Sequence, residues 1–194
     1  MTVLIRRGMT LPPVREKELL RYAGGGGDRS ALALIDGINK EPASMVCYAL
    51  LDAEIDGDVC KIGELELRSA KLGKCLFGCR KAVIFCATVG FEYDRLIAAS
   101  TRLSPAKALM ISALGSERAE AVCDAFCASL EKELSVKLTP RFSPGYGDLS
   151  LEVQKDIFAL LEPTKRIGVS LSDQMIMTPT KSVTAIAGIC EKKK

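Results

Sequence analysis

The chain has 194 residues, 48% of them hydrophobic and 26% charged, a composition typical of one globular domain. Its net charge of +3 is small, its aromatic residues are few and tryptophan is absent, so nucleic-acid binding is disfavoured. Histidine is also absent, which excludes Ser-His and Cys-His catalytic pairs and every metal site that uses histidine.

The longest apolar run, Ala82 to Val89, has the length of a strand. It falls well short of the roughly 18 residues that a membrane-spanning helix needs. The N-terminal sequence lacks the charged, apolar and small-residue regions of a secretory signal peptide. We therefore expect a cytoplasmic protein that binds neither membranes nor nucleic acid.

Three helices are predicted in the N-terminal part of the chain, over Val14–Tyr22, Arg29–Asn39 and Ala43–Leu51. Between the first two, Gly24 to Gly27 lack the Lys-Ser/Thr pair of a phosphate-binding loop. They indicate a flexible connection to a helix capped by Asp28 or Ser30. We expect one domain over residues 1–194, with residues 1–42 as its N-terminal helical elaboration.

The middle of the chain predicts a half-exposed strand, a buried central strand and two helices. These elements cover Cys60–Arg68, Ala82–Thr88, Phe91–Ser100 and Ser104–Leu134. Gly115 lies inside the last helix, so that stretch is either one helix or two. Glu117, Asp124 and Glu131 fall off its apolar stripe and predict a solvated face.

The remaining segments predict short strands around one amphipathic helix, Leu151–Leu161. The strands are Val136–Leu138, Ile167–Val169, Met175–Met177 and Ser182–Ile189. This order of elements favours the α+β class, with a mixed, largely antiparallel twisted sheet flanked by helices.

The eight cysteines include two C-x3-C pairs, Cys75 with Cys79 and Cys123 with Cys127. The common zinc and redox turn is C-x2-C, and three of the eight, Cys86, Cys123 and Cys127, lie in apolar stretches where a thiol packs as a small hydrophobe. Reduced structural thiols are the favoured interpretation. A metal or redox site built from the two pairs is the alternative.

The segment Arg141 to Asp148 contains Pro144, Gly145 and Gly147, which predict an irregular exposed loop with free backbone groups. Arg141 offers a rigid set of donors suited to a carboxylate, and Tyr146 adds a flat ring with a hydroxyl tip. The loop suits a small ligand, but its composition alone favours a surface turn with an exposed arginine.

The pattern Arg-x-x-x-Gly-Tyr in this loop resembles the S-adenosylmethionine-binding motif of the activation domain of cobalamin-dependent methionine synthase. The resemblance extends, in order and spacing, over about Pro105 to Ile189. Its further matches are Ala119-Glu120-Ala121, Ile167-Gly168, Leu171-Ser172-Asp173, Met177-Thr178-Pro179 and Ser182-Val183-Thr184-Ala185. The whole chain is similar to the stand-alone activation subunit that serves a synthase lacking this domain.

The resemblance implies a binding site for S-adenosylmethionine. Arg141 would hold the methionine carboxylate, Gly145 would line the site with its backbone, and Tyr146 would face the ligand or the corrin. The other residues that the resemblance places at the site are Ser143 in the same loop, the acidic Glu120, and Ala187 and Gly188 through their backbone.

The function that the resemblance implies is reductive methylation of cob(II)alamin to methylcobalamin on cobalamin-dependent methionine synthase. The partner would carry the cobalamin, and flavodoxin or ferredoxin would supply the electron. The chain would be an accessory component that positions a reactive cofactor, which agrees with its lack of histidine. Two alternatives are the cysteine-based metal or redox protein and an interaction module for another corrinoid protein.

Overall fold

The computed structural model describes residues 2–25 and 29–191. Its α-helices are α1 (Glu16–Tyr22), α2 (Ala70–Cys75), α3 (Glu92–Ser100), α4 (Pro105–Leu134), α5 (Val153–Leu161) and α6 (Pro163–Ile167). Its strands are β1 (Leu4–Arg7), β2 (Met45–Asp56), β3 (Val59–Ile62), β4 (Leu65–Arg68), β5 (Lys81–Thr88), β6 (Val136–Leu138), β7 (Ser170–Leu171), β8 (Met177–Thr178) and β9 (Ser182–Glu191). The predicted Asp28 cap and part of the glycine connection, Gly26 and Gly27, lie outside the described residues.

The main sheet has the strand order β4-β3-β2-β5-β9-β6, and β1 pairs with the first half of β2. Each pairing among the described strands is antiparallel. Strand β5 lies between β2 and β9 and is buried from Ala82 to Thr88. The predicted α+β class, with its largely antiparallel sheet and its buried central strand, is therefore confirmed.

Helices cover both faces of this sheet, so the described residues form three layers with an apolar core on each face of the sheet. Helices α1, α3 and α4 pack on one face, where Phe85 of β5 meets Phe126 of α4 with ring centroids 5.0 Å apart. Helices α2, α5 and α6 pack on the other face, around Ile84 of β5 and Ile157 of α5. Helix α4 packs against β5, β9 and β6 on this face of the sheet.

Helix α4 is one continuous helix of 30 residues. Ser104 caps its start by accepting a hydrogen bond from the Lys107 N–H at 3.3 Å, and Pro105 suits the first turn. Gly115 does not break the helix, and its missing side chain lets α3 and α4 approach each other closely. A Cβ there would lie 3.1 Å from Tyr93 Cγ. No helix within the described ranges has the length and apolar character needed to cross a membrane.

The prediction of a helix over Ala43–Leu51 is wrong, since Met45–Leu51 form the first part of the 12-residue strand β2. The run Met45–Leu51 is almost continuously apolar and therefore lacks the alternation that marks a half-exposed strand. Its burial comes from neighbours that are distant in sequence, β1 on one edge and β5 on the other. Such an apolar run fits a helix and a central strand equally well until its partners are known.

Three smaller predictions also require correction. The single strand Cys60–Arg68 is a hairpin, because the chain turns at Gly63 with φ +57°. Residues 167–169 are the end of α6 and its Gly168 cap, and the paired strands β7 and β8 begin after them. The helix predicted over Arg29–Asn39 is a shorter 3₁₀ helix, Arg29–Ile35.

Candidate functional site

An open cleft of about 590 Å³ lies between the C-terminal half of α4 and the segment that leads from β6 into the predicted loop. Its lining residues are Glu120, Asp124, Cys127, Ala128, Glu131, Leu138, Thr139, Pro140, Arg141, Ser143, Tyr146 and Val183. Four of the predicted site residues, Glu120, Arg141, Ser143 and Tyr146, are therefore brought together here. The volume is within the range of sites that bind small molecules.

Arg141 crosses from the loop to α4 and binds two carboxylates. Its Nη1 donates to Asp124 Oδ1 at 2.5 Å and its Nη2 donates to Glu120 Oε2 at 2.6 Å. Burial works to lower the pKa of this guanidinium, but the hydrogen bond to Asp124 and the neighbouring negative charges raise it above its ordinary value. The cleft thus has a fixed cation against an acidic helix face.

The acidic face follows from helical spacing. Glu120, Asp124 and Glu131, with Cys127 and Ala128 between the last two, recur every three or four residues, so one face of α4 presents them all. The sequence predicted Asp124 and Glu131 on a solvated face and did not assign them to the site. Their spacing from Glu120 was the signal that could have found them.

Glu117, one turn before Glu120, is not on a solvated face, and that prediction is wrong. Its side chain has no exposure to solvent and accepts hydrogen bonds from Arg118 Nε at 2.6 Å and Arg15 Nε at 2.8 Å. Arg118 is equally buried and also donates to the Pro12 carbonyl at 2.8 Å. The N-terminal segment is thereby fastened to α4 by charge as well as by apolar contacts.

The loop after Arg141 folds back on itself. Gly145 has φ +83°, and its N–H donates to the Leu149 carbonyl at 2.9 Å within the loop. Tyr146 is 68% exposed, and its ring meets Phe142 edge-on at 5.4 Å. The Ser143 carbonyl accepts the Tyr146 N–H at 3.1 Å, which holds both residues at the rim of the cleft.

Asp148 closes the loop at its far end by capping α2. Its Oδ2 accepts the Ala70 N–H at 2.9 Å, and its Oδ1 accepts a short hydrogen bond from the Ser69 hydroxyl. These contacts, led by that with Ser69, lower the pKa of the Asp148 carboxyl below its ordinary value. The carboxylate therefore ties the loop to the start of α2.

Ala187 and Gly188 lie on β9 behind the cleft and do not line it. Ala187 is buried in the core beneath α4. The Gly188 N–H donates to Thr139 Oγ1 and its carbonyl accepts the Thr139 N–H, both at 2.9 Å. These backbone groups hold Thr139, and with it the start of the segment that carries Arg141.

Gly188→Ala is expected to lower the free energy of unfolding by about 1–3 kcal/mol, as overpacking of a filled site typically does. A Cβ at this position would lie 2.6 Å from Cys79 Sγ and 3.0 Å from Thr139 Cγ2. Urea unfolding measures the loss. The same change in a Cys79→Ala background should cost less, because the nearest atom is then absent; equal losses in both backgrounds would contradict the crowding argument.

The four cysteines of the metal or redox alternative lie on two faces of the sheet. Cys123 belongs to the core under α4, whereas Cys75 packs against the other core. Burial, together with a hydrogen bond to Cys190, raises the pKa of Cys79 to about 12. Metals bind thiolates, and no cluster of three or more metal-ligating side chains occurs within residues 2–25 and 29–191. The described residues therefore do not assemble the four-cysteine site of this alternative.

The cleft can bind a zwitterion. Arg141 is suited to a carboxylate, Glu120 to an ammonium group, and the Tyr146 ring to a flat heterocycle at the rim. Apolar contacts from Leu138 and Val183 complete the lining. This set of groups can bind and orient a ligand by charge, ring contact and apolar packing.

No protein-family model and no curated protein matches the chain by sequence. Among solved structures, the crystal structure of the MetH reactivation domain bound to AdoHcy superposes on it with a TM-score of 0.69 and 16% sequence identity. The match covers 98% of this chain and 80% of that one. The chain therefore has the fold of the MetH reactivation domain.

Proposed function

We propose that the whole chain, residues 1–194, is a single activation domain that binds S-adenosylmethionine for a cobalamin-dependent methionine synthase lacking such a domain of its own. The observation that carries this proposal is the ion pair of Arg141 with Glu120 inside an open cleft. The fold supports it, because the similar MetH reactivation domain was crystallised with AdoHcy, the demethylated form of the same cofactor.

The amino-acid end of S-adenosylmethionine matches the charges of this cleft. Arg141 would bind the carboxylate with its fork of donors, and Glu120 would accept from the ammonium group. Ser143 and Tyr146 line the outer part of the cleft, where the adenosine would lie. Gly145, Ala187 and Gly188 stand behind these residues, so their contribution is to shape the loop and hold it against β9.

The proposed overall reaction is reductive methylation of cob(II)alamin to methylcobalamin. One electron from flavodoxin or ferredoxin would reduce the cob(II)alamin carried by the partner synthase. S-adenosylmethionine would then give its methyl group to the cobalt, with its S–CH3 bond broken and S-adenosylhomocysteine as the leaving group. The residues of this chain bind, orient and shield the methyl donor, which gives a large rate effect without any proton transfer. A cytoplasmic location follows from these proposed partners.

Calorimetric titration of the full chain tests the ligand. We expect saturable binding of S-adenosylmethionine and of S-adenosylhomocysteine, and much weaker binding of adenosine, which lacks the amino-acid end that Arg141 and Glu120 recognise. Absence of S-adenosylmethionine binding would overturn the proposal. Equal affinity for adenosine would show that the charged pair is not part of the site.

A reconstituted reaction tests the partner. A cobalamin-loaded methionine synthase without its activation domain is mixed with this chain, S-adenosylmethionine and reduced flavodoxin, and the cob(II)alamin absorbance is followed. We expect conversion to methylcobalamin that requires both the chain and the methyl donor. Ligand binding without conversion would favour the alternative of an interaction module for another corrinoid protein.

A further inference from the structure

The two carboxylates that bind Arg141 differ in their other contacts. Asp124 is engaged on both oxygens, since Oδ1 accepts from Arg141 and Oδ2 accepts from Arg15 Nη1 at 2.8 Å. Glu120 binds Arg141 through Oε2. Its Oε1 has no hydrogen-bond donor within the described part of the chain, and both acids line the cleft. Glu120 is therefore the carboxylate that a ligand can displace, and Asp124 the one that stays.

Arg15 is itself fixed from behind. Its Nε donates to Glu117 Oε1 at 2.8 Å and its backbone N–H donates to the same oxygen at 3.3 Å. Glu117 is fully buried and bound to Arg118, so its carboxylate is held in one position for Arg15. The hydrogen bond to Glu117 is the largest cause that raises the pKa of Arg15. A chain of ion pairs thus runs from the buried Glu117 through Arg15 and Asp124, whose side chains are each 40% exposed, to Arg141 in the cleft.

We propose that Arg15, acting through Asp124, is the positioning residue of Arg141. Arg15 holds Asp124 in place and offsets its charge, and Asp124 holds Nη1 of Arg141 at a fixed point. The other nitrogen, Nη2, then exchanges Glu120 for the carboxylate of the bound ligand, and Glu120 is released to the ligand's ammonium group. This inference rests on the proposed function for the identity of that ligand.

Preorganisation is the physical reason for such a role. An arginine side chain that is mobile before binding must be ordered when the ligand arrives, and this ordering reduces affinity. A guanidinium already fixed at one nitrogen needs no such step. Arg15 therefore affects the carboxylate contact alone and leaves recognition of the rest of the ligand unchanged.

Arg15→Gln tests this role in the full chain, with S-adenosylmethionine and its decarboxylated analogue as the two probes. We expect the Kd for S-adenosylmethionine to rise about tenfold and the Kd for the decarboxylated analogue to change less than twofold. Lys17→Gln, a matched loss of one positive charge at an exposed position of α1, should leave both constants unchanged. Equal losses for both probes would contradict positioning.

Arg15→Lys keeps the charge but not the two-pronged contact, so it should lie between the wild type and Arg15→Gln. It also carries the test if Arg15→Gln does not fold. In an Arg141→Gln background, Arg15→Gln should have no further effect on S-adenosylmethionine binding, because the two residues act in series. Additive effects in this double-variant cycle would overturn the proposal.

A measurement without ligand separates this inference from the proposed function. Nitrogen-15 NMR of the arginine side chains at low temperature should show resolved Nη signals for a clamped Arg141, identified by their loss in Arg141→Gln. We expect these signals to merge in Arg15→Gln and to persist in Lys17→Gln. Unchanged signals in Arg15→Gln would contradict positioning, even if S-adenosylmethionine binds. If the signals merge in Arg15→Gln but the unchanged chain does not bind S-adenosylmethionine, the positioning role stands and the proposed function is contradicted.

Discussion

Glu117→Ala is expected to lower the free energy of unfolding by about 3–5 kcal/mol, the usual loss when one partner of a buried ion pair is removed. Glu117 and Arg118 are both fully buried and lie 2.6 Å apart. Without the carboxylate, the Arg118 guanidinium would stay in the core with the Pro12 carbonyl as its hydrogen-bond acceptor among the described residues. Urea unfolding followed by circular dichroism measures the change.

Two further variants make this prediction specific. Glu133→Ala removes a carboxylate from the same helix, but its ion pair with Arg6 is exposed, so a loss of at most about 1 kcal/mol is expected. The double variant Glu117→Leu with Arg118→Leu should recover part of the stability, since no buried charge is left unpaired. A loss below about 1 kcal/mol for Glu117→Ala would show that water reaches the pair.

The parts of the fold that local patterns determine were predicted well. The apolar run at β5 and the helical period of α4 each reflect burial that repeats along a single element, so the sequence shows them directly. Strand β2 was missed because its burial depends on β1 and β5, whose positions no local pattern reveals. The hairpin at Gly63 was missed because one glycine was not interpreted as a turn.

The candidate site divides in the same way. Arg141 and Glu120 were predicted through a resemblance carried by neighbouring motifs, and the structure brings them together. Asp124 could have been predicted as a site residue, because it lies one helical turn after Glu120. It was not, because a charged residue on a helix usually faces solvent. The contact of Arg15 with Asp124 could not have been predicted from the sequence, since Arg15 precedes Asp124 by 109 residues. Its position depends on the N-terminal segment packing on α4.

Arg141→Ala is expected to weaken S-adenosylmethionine binding about thirtyfold, equivalent to about 2 kcal/mol, because a half-buried charged contact with the ligand carboxylate is lost. Calorimetric titration measures the change. The ion pairs of Arg141 with Glu120 and Asp124 are partly exposed, so the free energy of unfolding should fall by no more than about 1 kcal/mol. Arg68→Ala, in an exposed pair on β4, is the matched control and should bind normally.

The charges of the ligand and of the cleft tell a lost carboxylate contact apart from a change in long-range attraction. S-adenosylmethionine carries one net positive charge at neutral pH, and removal of Arg141 leaves Glu120 and Asp124 with less compensation. Long-range attraction would then strengthen binding, so it cannot be the cause of a weaker complex, which requires either the lost carboxylate contact or a changed cleft. The decarboxylated analogue, with no carboxylate to lose, should bind Arg141→Ala at least as tightly as the wild type. Weaker binding of that analogue would mean that Arg141 supports the shape of the cleft and not the ligand's carboxylate.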